Sequence, residues 1–538
     1  MKNKILVFFI VFHTMGFAQL DDAWLYFTDK DKVATSIENP ISILSEKAIQ
    51  RKKRHRILID VRDVPVNQNY IDQIKKITGI SVMAKSKWFN AVHVRGRQSD
   101  IQALSSLSFV NRIAFAARNT TASKNAQIRD KDKVKLENTQ TVLDYGDAFN
   151  QIKMFNGDAL HLLNYTGSGM TVAIMDAGFS NVDSMSSFER SRTAKNIIGT
   201  YDFVDRKVGV YTKSNHGTHV LSHMAGYIPG EFVGTAPDAA YYLFITEDTT
   251  IENPVEESYW VEAAERADSL GVDVINTSLG YTLYDDTRYS YTPENMDGNT
   301  AFITKGANIA FEKGMLLVNA AGNEGNNSWG IVAAPADAAG VFTVGAVDAK
   351  GNLANFSSRG SASQATWKPD VVAQGQASYL INGDDTIRTG NGTSYSAPIM
   401  AGGLVCLWQA MPNKTNVEIM QLVRESASQF GSPDFNLGYG IPDLQAVVSK
   451  VLYTEIIEKE NDNLKLFPNP TSSQLYFSLT TNIDSHRLKL YDVFGREVLN
   501  IIMSLENNPI DLTFLSPGMY LARVESKTKS KTIKILKN

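Results

Sequence analysis

Ser394 is the residue whose type and position first suggest chemistry. It follows Gly392 and Thr393, and the apolar run 399–411 after it predicts a buried helix that begins near Ser394. A serine in the first turn of a helix lies beside unpaired backbone N–H groups, which can receive a developing negative charge. Taken alone, however, a serine at this position is more typical of a helix N-cap.

Asp176 and His216 supply what a nucleophilic serine requires. Asp176 comes directly after the strand-like run 171–175, and His216 follows it within a His-Gly-Thr-His motif. A serine hydroxyl is a poor nucleophile unless a neighbouring base removes its proton, and a carboxylate can orient that base and stabilise its charged form. The three residues together therefore favour nucleophilic catalysis.

A metal site is the alternative interpretation of the histidines. His216, His219 and His223 share one face of the predicted helix. The His-Glu-x-x-His arrangement of zinc peptidases is absent, and no acidic ligand lies among the three. We therefore predict that they hold no metal.

The elements that must position these residues alternate along the chain from about residue 145. Apolar runs typical of strands are separated by segments with helical spacing. This alternation predicts an α/β fold, a parallel sheet with helices on both faces, whose functional residues lie at the carboxyl ends of the strands. The strand-like runs are 171–175, 240–245, 272–275, 315–319 and 341–344, and the helix-like segments are 216–226, 259–270, 301–313, 394–411, 417–426 and 442–451.

Five short motifs follow one another along the chain. They are Asp176-Ala177-Gly178, His216-Gly217-Thr218-His219-Val220, Asn276-Thr277-Ser278-Leu279-Gly280, Ala320-Ala321-Gly322-Asn323 and Gly392-Thr393-Ser394. In this order they resemble the motifs of the subtilases, the subtilisin-like serine peptidases. The resemblance covers about residues 145–450, and Asp, His, Ser is the order found in subtilisin. It implies a secreted endopeptidase with a subtilisin-like fold that hydrolyses peptide bonds through an acyl-enzyme, with Asp176, His216 and Ser394 as the catalytic triad.

The same resemblance implies roles for the other site residues. The side-chain amide of Asn323 would form the oxyanion hole with the backbone N–H of Ser394, although an asparagine in this setting is also typical of an ordinary turn. Ser278, Leu279 and Gly280 would bind the substrate through backbone hydrogen bonds, as an added strand does. The first histidine of the His-Gly-Thr-His motif would be the base.

Two departures from the subtilase pattern lie next to the triad. Ala177 replaces the Thr or Ser that usually follows the catalytic aspartate, which removes a hydroxyl that could help to hold the carboxylate. Tyr395 and Ser396 replace the Met and Ala that commonly follow the nucleophile. Neither change removes an atom of the triad, so we expect an active enzyme.

The first 18 residues predict a secretory signal peptide that is cut after Ala18. Lys2 and Lys4 precede the apolar run 5–12, and small residues lie before the cut. A membrane anchor is the alternative, but the run is short for a span of about 20 residues. We expect no stable membrane span.

Residues 19–120 read as a small α/β unit, and 121–144 as a polar linker. Subtilases carry a pro-segment of this size at this place, which acts as a folding template and inhibitor, and maturation would cut in the linker. The dense basic run 51–56 predicts a solvated helix face rather than a nucleic-acid site, because the chain as a whole is slightly acidic.

The last part of the chain, 461–538, predicts an antiparallel β-sandwich after a peptidase domain at 145–455. Its short apolar runs are divided by turn signals. Its motifs resemble the C-terminal sorting domain of type IX secretion, which implies export to the medium or cell surface; a carbohydrate-binding or adhesive sandwich is the alternative. The motifs are Phe467-Pro468-Asn469-Pro470, Tyr491-Asp492-Val493-Phe494-Gly495-Arg496, Pro517-Gly518-Met519-Tyr520 and the basic end with Lys534 and Lys537.

Composition sets the remaining bounds. A chain of 538 residues holds several domains, and its formal charge of −4 gives no reason to expect a nucleic acid as partner. Its single cysteine, Cys406, excludes an internal disulfide. The reaction requires no cofactor, and the sequence leaves structural calcium open. The expected partners are protein or peptide substrates, the chain's own pro-segment and the type IX secretion machinery; the rival function is a surface adhesion protein with a vestigial peptidase domain.

Overall fold

The computed structural model describes residues 19–118, 143–450, 465–478, 486–504, 508–525 and 530–538. The predicted signal peptide and nearly all of the predicted linker lie outside these residues. The chain divides into two compact units, Met1–Val448 and Ser449–Asn538. In the described ranges no helix is both long enough and apolar enough to cross a membrane.

The pro-segment, residues 19–118 of the described chain, is an antiparallel sheet with short helices. The strands lie in the order β2-β3-β1-β4. Apolar residues of β1 and β3 pack against the helices α3 and α4, for example through Leu25, Ile74 and Ile101. The elements are β1 Asp21–Phe27, α1 Val33–Glu38, α2 Glu46–Arg54, α3 Gln68–Lys75, β2 Ile80–Ser86, β3 Ala91–Gly96, α4 Gln98–Ala103 and β4 Val110–Phe115.

A seven-stranded sheet forms the centre of the catalytic part, and all its neighbouring strands are parallel. Its strands are β5 Thr171–Asp176, β6 Ile197–Asp202, β9 Ala240–Ile245, β10 Val274–Thr277, β11 Leu316–Ala320, β12 Val341–Val347 and β13 Val371–Gln374, and the short strands outside it are β7 Tyr227–Ile228, β8 Phe232–Val233, β14 Ser378–Ile381 and β15 Ile387–Gly390. The order is β13-β12-β11-β10-β5-β9-β6.

Helices flank this sheet, so the predicted fold class is confirmed. Two of them, α9 and α10, bury Trp260 and Ile303 against the sheet residues Ala173, Ile275 and Leu317. The almost wholly buried helix α11 is the one that carries Ser394. The helices are α5 Phe149–Lys153, α6 Asp158–Leu162, α7 Glu189–Thr193, α8 His216–Ala225, α9 Val255–Leu270, α10 Phe302–Glu312, α11 Thr393–Ala410 and α12 Asn416–Ser426.

The pro-segment packs directly on α9. The Trp24 indole donates to the Ser258 hydroxyl at 2.9 Å and stacks on the ring of Phe302. Arg51 and Lys52, only 2% and 1% exposed, both pair with the buried carboxylate of Asp268. The prediction of a solvated helix face is therefore wrong for these two residues of the basic run, because α9 supplies a carboxylate that the local sequence does not reveal.

The C-terminal unit is built from two antiparallel sheets, as predicted. One has the order β16-β17-β20 and the other β19-β18-β21-β22. Leu475 and Phe477 of the first sheet and Leu488, Leu490 and Ala522 of the second belong to one apolar cluster. The strands are β16 Lys465–Phe467, β17 Gln474–Ser478, β18 Arg487–Tyr491, β19 Glu497–Ile502, β20 Ile510–Asp511, β21 Gly518–Glu525 and β22 Ser530–Lys537.

Candidate active site

Asp176 and His216 are hydrogen-bonded across two elements. Asp176 is the last residue of β5 and is fully buried, and His216 is the first residue of α8. Nδ1 of His216 lies 2.7 Å from Oδ1 of Asp176, and the same oxygen accepts from the backbone N–H of Ala177 at 2.7 Å. Among the described residues no donor reaches the other oxygen, Oδ2.

The Asp176 carboxylate makes His216 more basic. Desolvation opposes the charged imidazolium, but the carboxylate outweighs it through its charge and hydrogen bond, so the pKa of His216 lies above 6.5. The His216 side chain remains 36% exposed. The imidazole is thus fixed at Nδ1 and open on its other side, where its second nitrogen can accept or donate a proton.

Ser394 and Ser278 are held together by two reciprocal hydrogen bonds. Oγ of Ser394 donates to the Ser278 carbonyl, and Oγ of Ser278 donates to the Ser394 carbonyl, each at 3.0 Å. Pro398 explains the second bond. It lies four residues after Ser394 in α11 and has no N–H, so the Ser394 carbonyl lacks its helical partner and takes one from Ser278 instead.

The Ser394 hydroxyl directs its one proton to Ser278 in this structure rather than to His216. The ring of the next residue, Tyr395, has its centre 6.5 Å from that of the His216 imidazole, so the starts of α11 and α8 are neighbours. Hydrogen bonds between catalytic groups are often loose before substrate binds and tighten only in the complex. The arrangement brings all three predicted triad residues into one region of the molecule.

Asn323 is oriented by the residue that precedes Ser394. Its side-chain oxygen accepts from the backbone N–H of Thr393 at 2.9 Å and from the Thr393 hydroxyl at 3.1 Å. Because both bonds use the amide oxygen, the NH₂ group can donate elsewhere. The turn that presents Asn323 includes Gly322 at φ +106°, where an added Cβ would lie 2.8 Å from the Ser358 hydroxyl, so a larger residue does not fit.

The predicted substrate-binding segment follows β10. Ser278 is buried, Leu279 is half-buried and Gly280 is exposed. The carbonyl of Ser278 is bonded to Ser394, and that of Leu279 accepts from the Asn319 side chain at 3.3 Å. Gly280 is therefore the member of the segment that is most open to an incoming chain.

The other two histidines of α8 have different environments. Nε2 of His219 lies 2.9 Å from the Asn382 side-chain oxygen. His223 is buried beside Gln151, and desolvation lowers its pKa to about 3. Among the described residues no group of three or more His, Cys, Asp or Glu side chains could hold a metal ion.

Glu247 is an ionisable neighbour of the site that the sequence analysis missed. It follows β9 by two residues, and its carboxyl accepts a hydrogen bond from the Tyr281 hydroxyl. Desolvation, opposed by that hydrogen bond and reinforced by Glu252 and Asp176, raises the pKa of Glu247 to about 8. A carboxyl at the carboxyl end of a buried strand is the signal that also identified Asp176, and Glu247 lies only two residues beyond such a strand, so the sequence contained a clue to it.

Three family models match successive parts of the chain. They are described as the peptidase S8 propeptide domain of Bacteroidota, over residues 22–133, the subtilase family, over 167–440, and the secretion system C-terminal sorting domain, over 465–538. The second model alone spans half of the chain.

Curated relatives show the same similarity. Subtilisin of Bacillus pumilus is 32% identical over 55% of this chain and 96% of its own length. Subtilisin E of Bacillus subtilis (strain 168) is 32% identical over 59% of this chain and 74% of its own length. Among solved structures, the MycP3 protease from the type VII (ESX-3) secretion system aligns at 21% identity and a TM-score of 0.45 over 57% of this chain and 90% of that one.

Proposed function

The chain belongs to the subtilase family and is a subtilisin-like serine endopeptidase, and from this premise we propose that Ser394 is its nucleophile, His216 its general base and Asp176 the residue that orients the base. The observation that carries the proposal is the 2.7 Å contact between Nδ1 of His216 and the buried Asp176 carboxylate. This bond places the proton on Nδ1 and leaves Nε2 as the atom that can accept the serine proton.

Catalysis begins when the Ser394 hydroxyl turns from the Ser278 carbonyl to His216. Nε2 takes the hydroxyl proton while Oγ attacks the scissile carbonyl carbon, and the charged imidazolium is stabilised by Asp176. The same imidazolium then gives its proton to the leaving amine. Water repeats the sequence on the acyl-enzyme and frees Ser394.

Asn323 and the first turn of α11 stabilise the charge that develops on the substrate oxygen. The NH₂ group of Asn323, whose amide oxygen is fixed by Thr393, donates to this oxygen together with the backbone N–H of Ser394. Ser278, Leu279 and Gly280 hold the substrate backbone beside them. No cofactor takes part in these steps, and structural calcium stays outside this proposal.

The C-terminal sorting domain serves export, and the N-terminal pro-segment serves folding and latency. The C-terminal sorting domain marks proteins that type IX secretion carries to the cell surface or medium. We propose that the secretion machinery recognises this domain, and that the pro-segment assists folding and keeps the precursor inactive until it is cut off. The contacts of Trp24, Arg51 and Lys52 with α9 support the role in folding, because they join the pro-segment directly to the catalytic part.

Hydrolysis of casein and of a chromogenic peptide by the matured protein tests this function. Ser394→Ala should lower kcat by about 10⁶, the loss measured when the nucleophile of subtilisin is removed. Ser396→Ala is the matched control, because it removes another buried hydroxyl from the same helix. Within the described part of the chain this hydroxyl donates to the Thr393 carbonyl, at 3.1 Å, and to no triad residue. Near-normal turnover in Ser394→Ala would reject Ser394 as the nucleophile. Inactive wild-type protein would favour the vestigial, adhesive alternative.

A further inference from the structure

The last described residue of the pro-segment, Arg118, is held in a socket on the catalytic part. Its guanidinium donates to the Tyr289 carbonyl and lies over the ring of Tyr291, with Cζ 3.6 Å from the ring centre. Its backbone N–H donates to the carbonyl of Arg288. We call the Tyr289 carbonyl and the Tyr291 ring face the guanidinium socket.

A buried carboxylate behind the socket makes the ring a better receptor for a cation. The Tyr291 hydroxyl donates to both oxygens of Glu257, at 2.8 and 3.0 Å, and both residues are fully buried. Desolvation and Glu257 raise the pKa of Tyr291 well above its ordinary value, so the hydroxyl stays protonated and remains a donor. A phenol that donates to a carboxylate gains electron density on its ring, and a cation over the ring face is then attracted more strongly.

The bonds that hold the Tyr291 ring and Glu257 in place lie within the catalytic part. Glu257 lies on α9 and is fixed from two further sides, by the Tyr284 hydroxyl at 2.7 Å and the backbone N–H of Ile303 at 2.9 Å. The backbone N–H of Tyr291 donates to the Thr282 carbonyl at 2.8 Å. None of these bonds involves the pro-segment. The pro-segment does contact the other socket residue, because the Tyr289 hydroxyl accepts from the backbone N–H of Asp22 at 3.2 Å. Its removal therefore keeps the bonds that hold Tyr291 and vacates the position of Arg118.

The bond between the Tyr291 N–H and the Thr282 carbonyl connects the socket to the predicted substrate-binding segment. Thr282 is two residues beyond Gly280, so Tyr291 is anchored to the continuation of that segment. In the precursor, Arg118 precedes the linker in which maturation is expected to cut. A peptide that follows the path of the pro-segment would therefore present the residue in the socket on the N-terminal side of its scissile bond.

We propose that the guanidinium socket is a substrate subsite of the mature enzyme, which binds an arginine side chain on the N-terminal side of the scissile bond. This inference rests on the proposed peptidase function and names a substrate class for it: peptides with an arginine upstream of the cut. Arg118 is then the pro-segment's own occupant of the subsite.

Peptide pairs that differ only in charge test the proposal. Enzyme matured from the full-length chain is assayed on peptides whose single arginine is moved through the positions before the scissile bond, each paired with a peptide that has citrulline there. We expect one position at which arginine raises kcat/KM about tenfold over citrulline, mainly through a lower KM. A ratio near one at every position would overturn the proposal.

Tyr291→Leu removes the ring face. In this variant the arginine-to-citrulline ratio should fall to about one, with the citrulline peptides still cleaved. Tyr227→Leu is the matched control, because it removes another cation–π contact of this chain, with Arg190 Cζ 4.5 Å from the ring centre, and it should keep the ratio. A ratio that survives in Tyr291→Leu contradicts the subsite.

A measurement on the unmodified enzyme covers the case in which the buried Tyr291 cannot be replaced without unfolding. N-acetylarginine amide should inhibit cleavage of the favoured arginine peptide several-fold more than cleavage of its citrulline partner, because only the first uses the socket. Equal inhibition of both peptides would overturn the subsite and leave the peptidase function intact. Cleavage that Ser394→Ala fails to abolish would instead overturn the proposed function, and this inference with it.

Discussion

The side chain of Asn323 is held in one orientation by Thr393, the residue that precedes Ser394. Thr393 binds the amide oxygen with two donors, so the amide cannot flip without losing both bonds. Its NH₂ group is then available to a substrate oxygen next to Ser394. A donor that is aimed before the reaction begins stabilises the transition state without reorganisation.

Asn323→Ala should lower kcat by about 10²–10³ and leave KM nearly unchanged, the effect that loss of such a donor has in subtilisin itself. Asn323→Asp should be at least as poor, because a carboxylate repels the developing oxyanion. Kinetics and melting curves check this. Asn327→Ala is the control, since this exposed asparagine in the same loop only accepts from Trp329 N–H at 2.9 Å and bonds to Glu324. A lowered melting point with unchanged kcat in Asn323→Ala would make Asn323 an ordinary turn residue.

The raised pKa of His216 gives a second prediction at this scale. The base must be neutral to accept the serine proton, so kcat/KM should rise with pH through the pKa of His216 in the free enzyme. Since Asp176 raises that pKa, the midpoint of the acid limb should lie above 6.5. A pH profile of kcat/KM measures it. A midpoint at or below 6.5 would mean that the carboxylate does not stabilise the imidazolium in solution.

The triad candidates could be predicted from sequence because each stands in a short motif beside a recognisable element. Glu247 and Thr393 could not be assigned roles in that way. The environment of Glu247 depends on Tyr281 and Asp176, and that of Thr393 on Asn323, which lies 70 residues away in the chain. Contacts of this kind arise only when separate strands and loops converge at one edge of the sheet.

The helix α9 contacts both the central sheet of the catalytic part and the pro-segment. One face packs on the sheet through Trp260 and Ala264, and another meets the pro-segment through Glu265 and Asp268. Desolvation opposes the charge of Asp268, but Lys52 and Arg51 outweigh it and hold its pKa at about 2. The carboxylate therefore stays charged although it is fully buried.

Asp268→Ala should weaken docking of the pro-segment by about 3–5 kcal/mol, because Arg51 would stay buried without its carboxylate and Lys52 would keep only Asp63, at 3.2 Å. The measurement is a urea titration of the full-length Ser394→Ala chain with and without Asp268→Ala. Hydrogen exchange of the pro-segment amides reports the loss of docking at each urea concentration. Glu312→Ala is the control at the same interface. It breaks a 2.6 Å pair with Arg62 whose side chains are 57% and 35% exposed, and we expect a loss of about 0–1 kcal/mol. Equal losses in the two variants would contradict a special role for the buried pair.

The sequence predicted the central strands of the sheet better than its edges. The run 240–245 coincides with β9, and the predicted strands at 272–275 and 315–319 are each displaced by one or two residues from β10 and β11. The two edge strands β6 and β13 were missed. In β6 four residues are half-buried, Ile198 is exposed and only Asp202 is buried, so the strand lacks the continuous apolar run that marks a central parallel strand.

On the scale of the whole molecule, the sequence predicted the order of a pro-segment, a peptidase and a sorting domain because each part has its own periodicity and motifs. The exact boundaries, 19–120, 145–455 and 461–538, stay predictions. The docking of the pro-segment could not be derived, since it depends on pairs such as Arg51 with Asp268, which are 217 residues apart.

Deletion of the residues after about 455 should leave an active peptidase in the periplasm of the host, because the C-terminal unit has its own apolar core and serves export. Fractionation with a peptidase assay on periplasm, cell surface and medium checks this. The full-length Ser394→Ala chain is the control for export without activity. Normal amounts of the truncated enzyme outside the cell would favour the carbohydrate-binding interpretation of the sandwich.

The charged residues that the pro-segment covers affect whether the matured enzyme associates with other copies of itself. When the pro-segment is removed, Asp268 of α9 and Lys313, which binds Asp63 of the pro-segment at 2.7 Å, become accessible to water. An apolar interface at this place would leave a patch that promotes association between released molecules. Hydrated charged groups do not promote such association. The surface around Asp268 and Lys313 is therefore compatible with water as soon as Arg51 and Lys52 have left with the pro-segment.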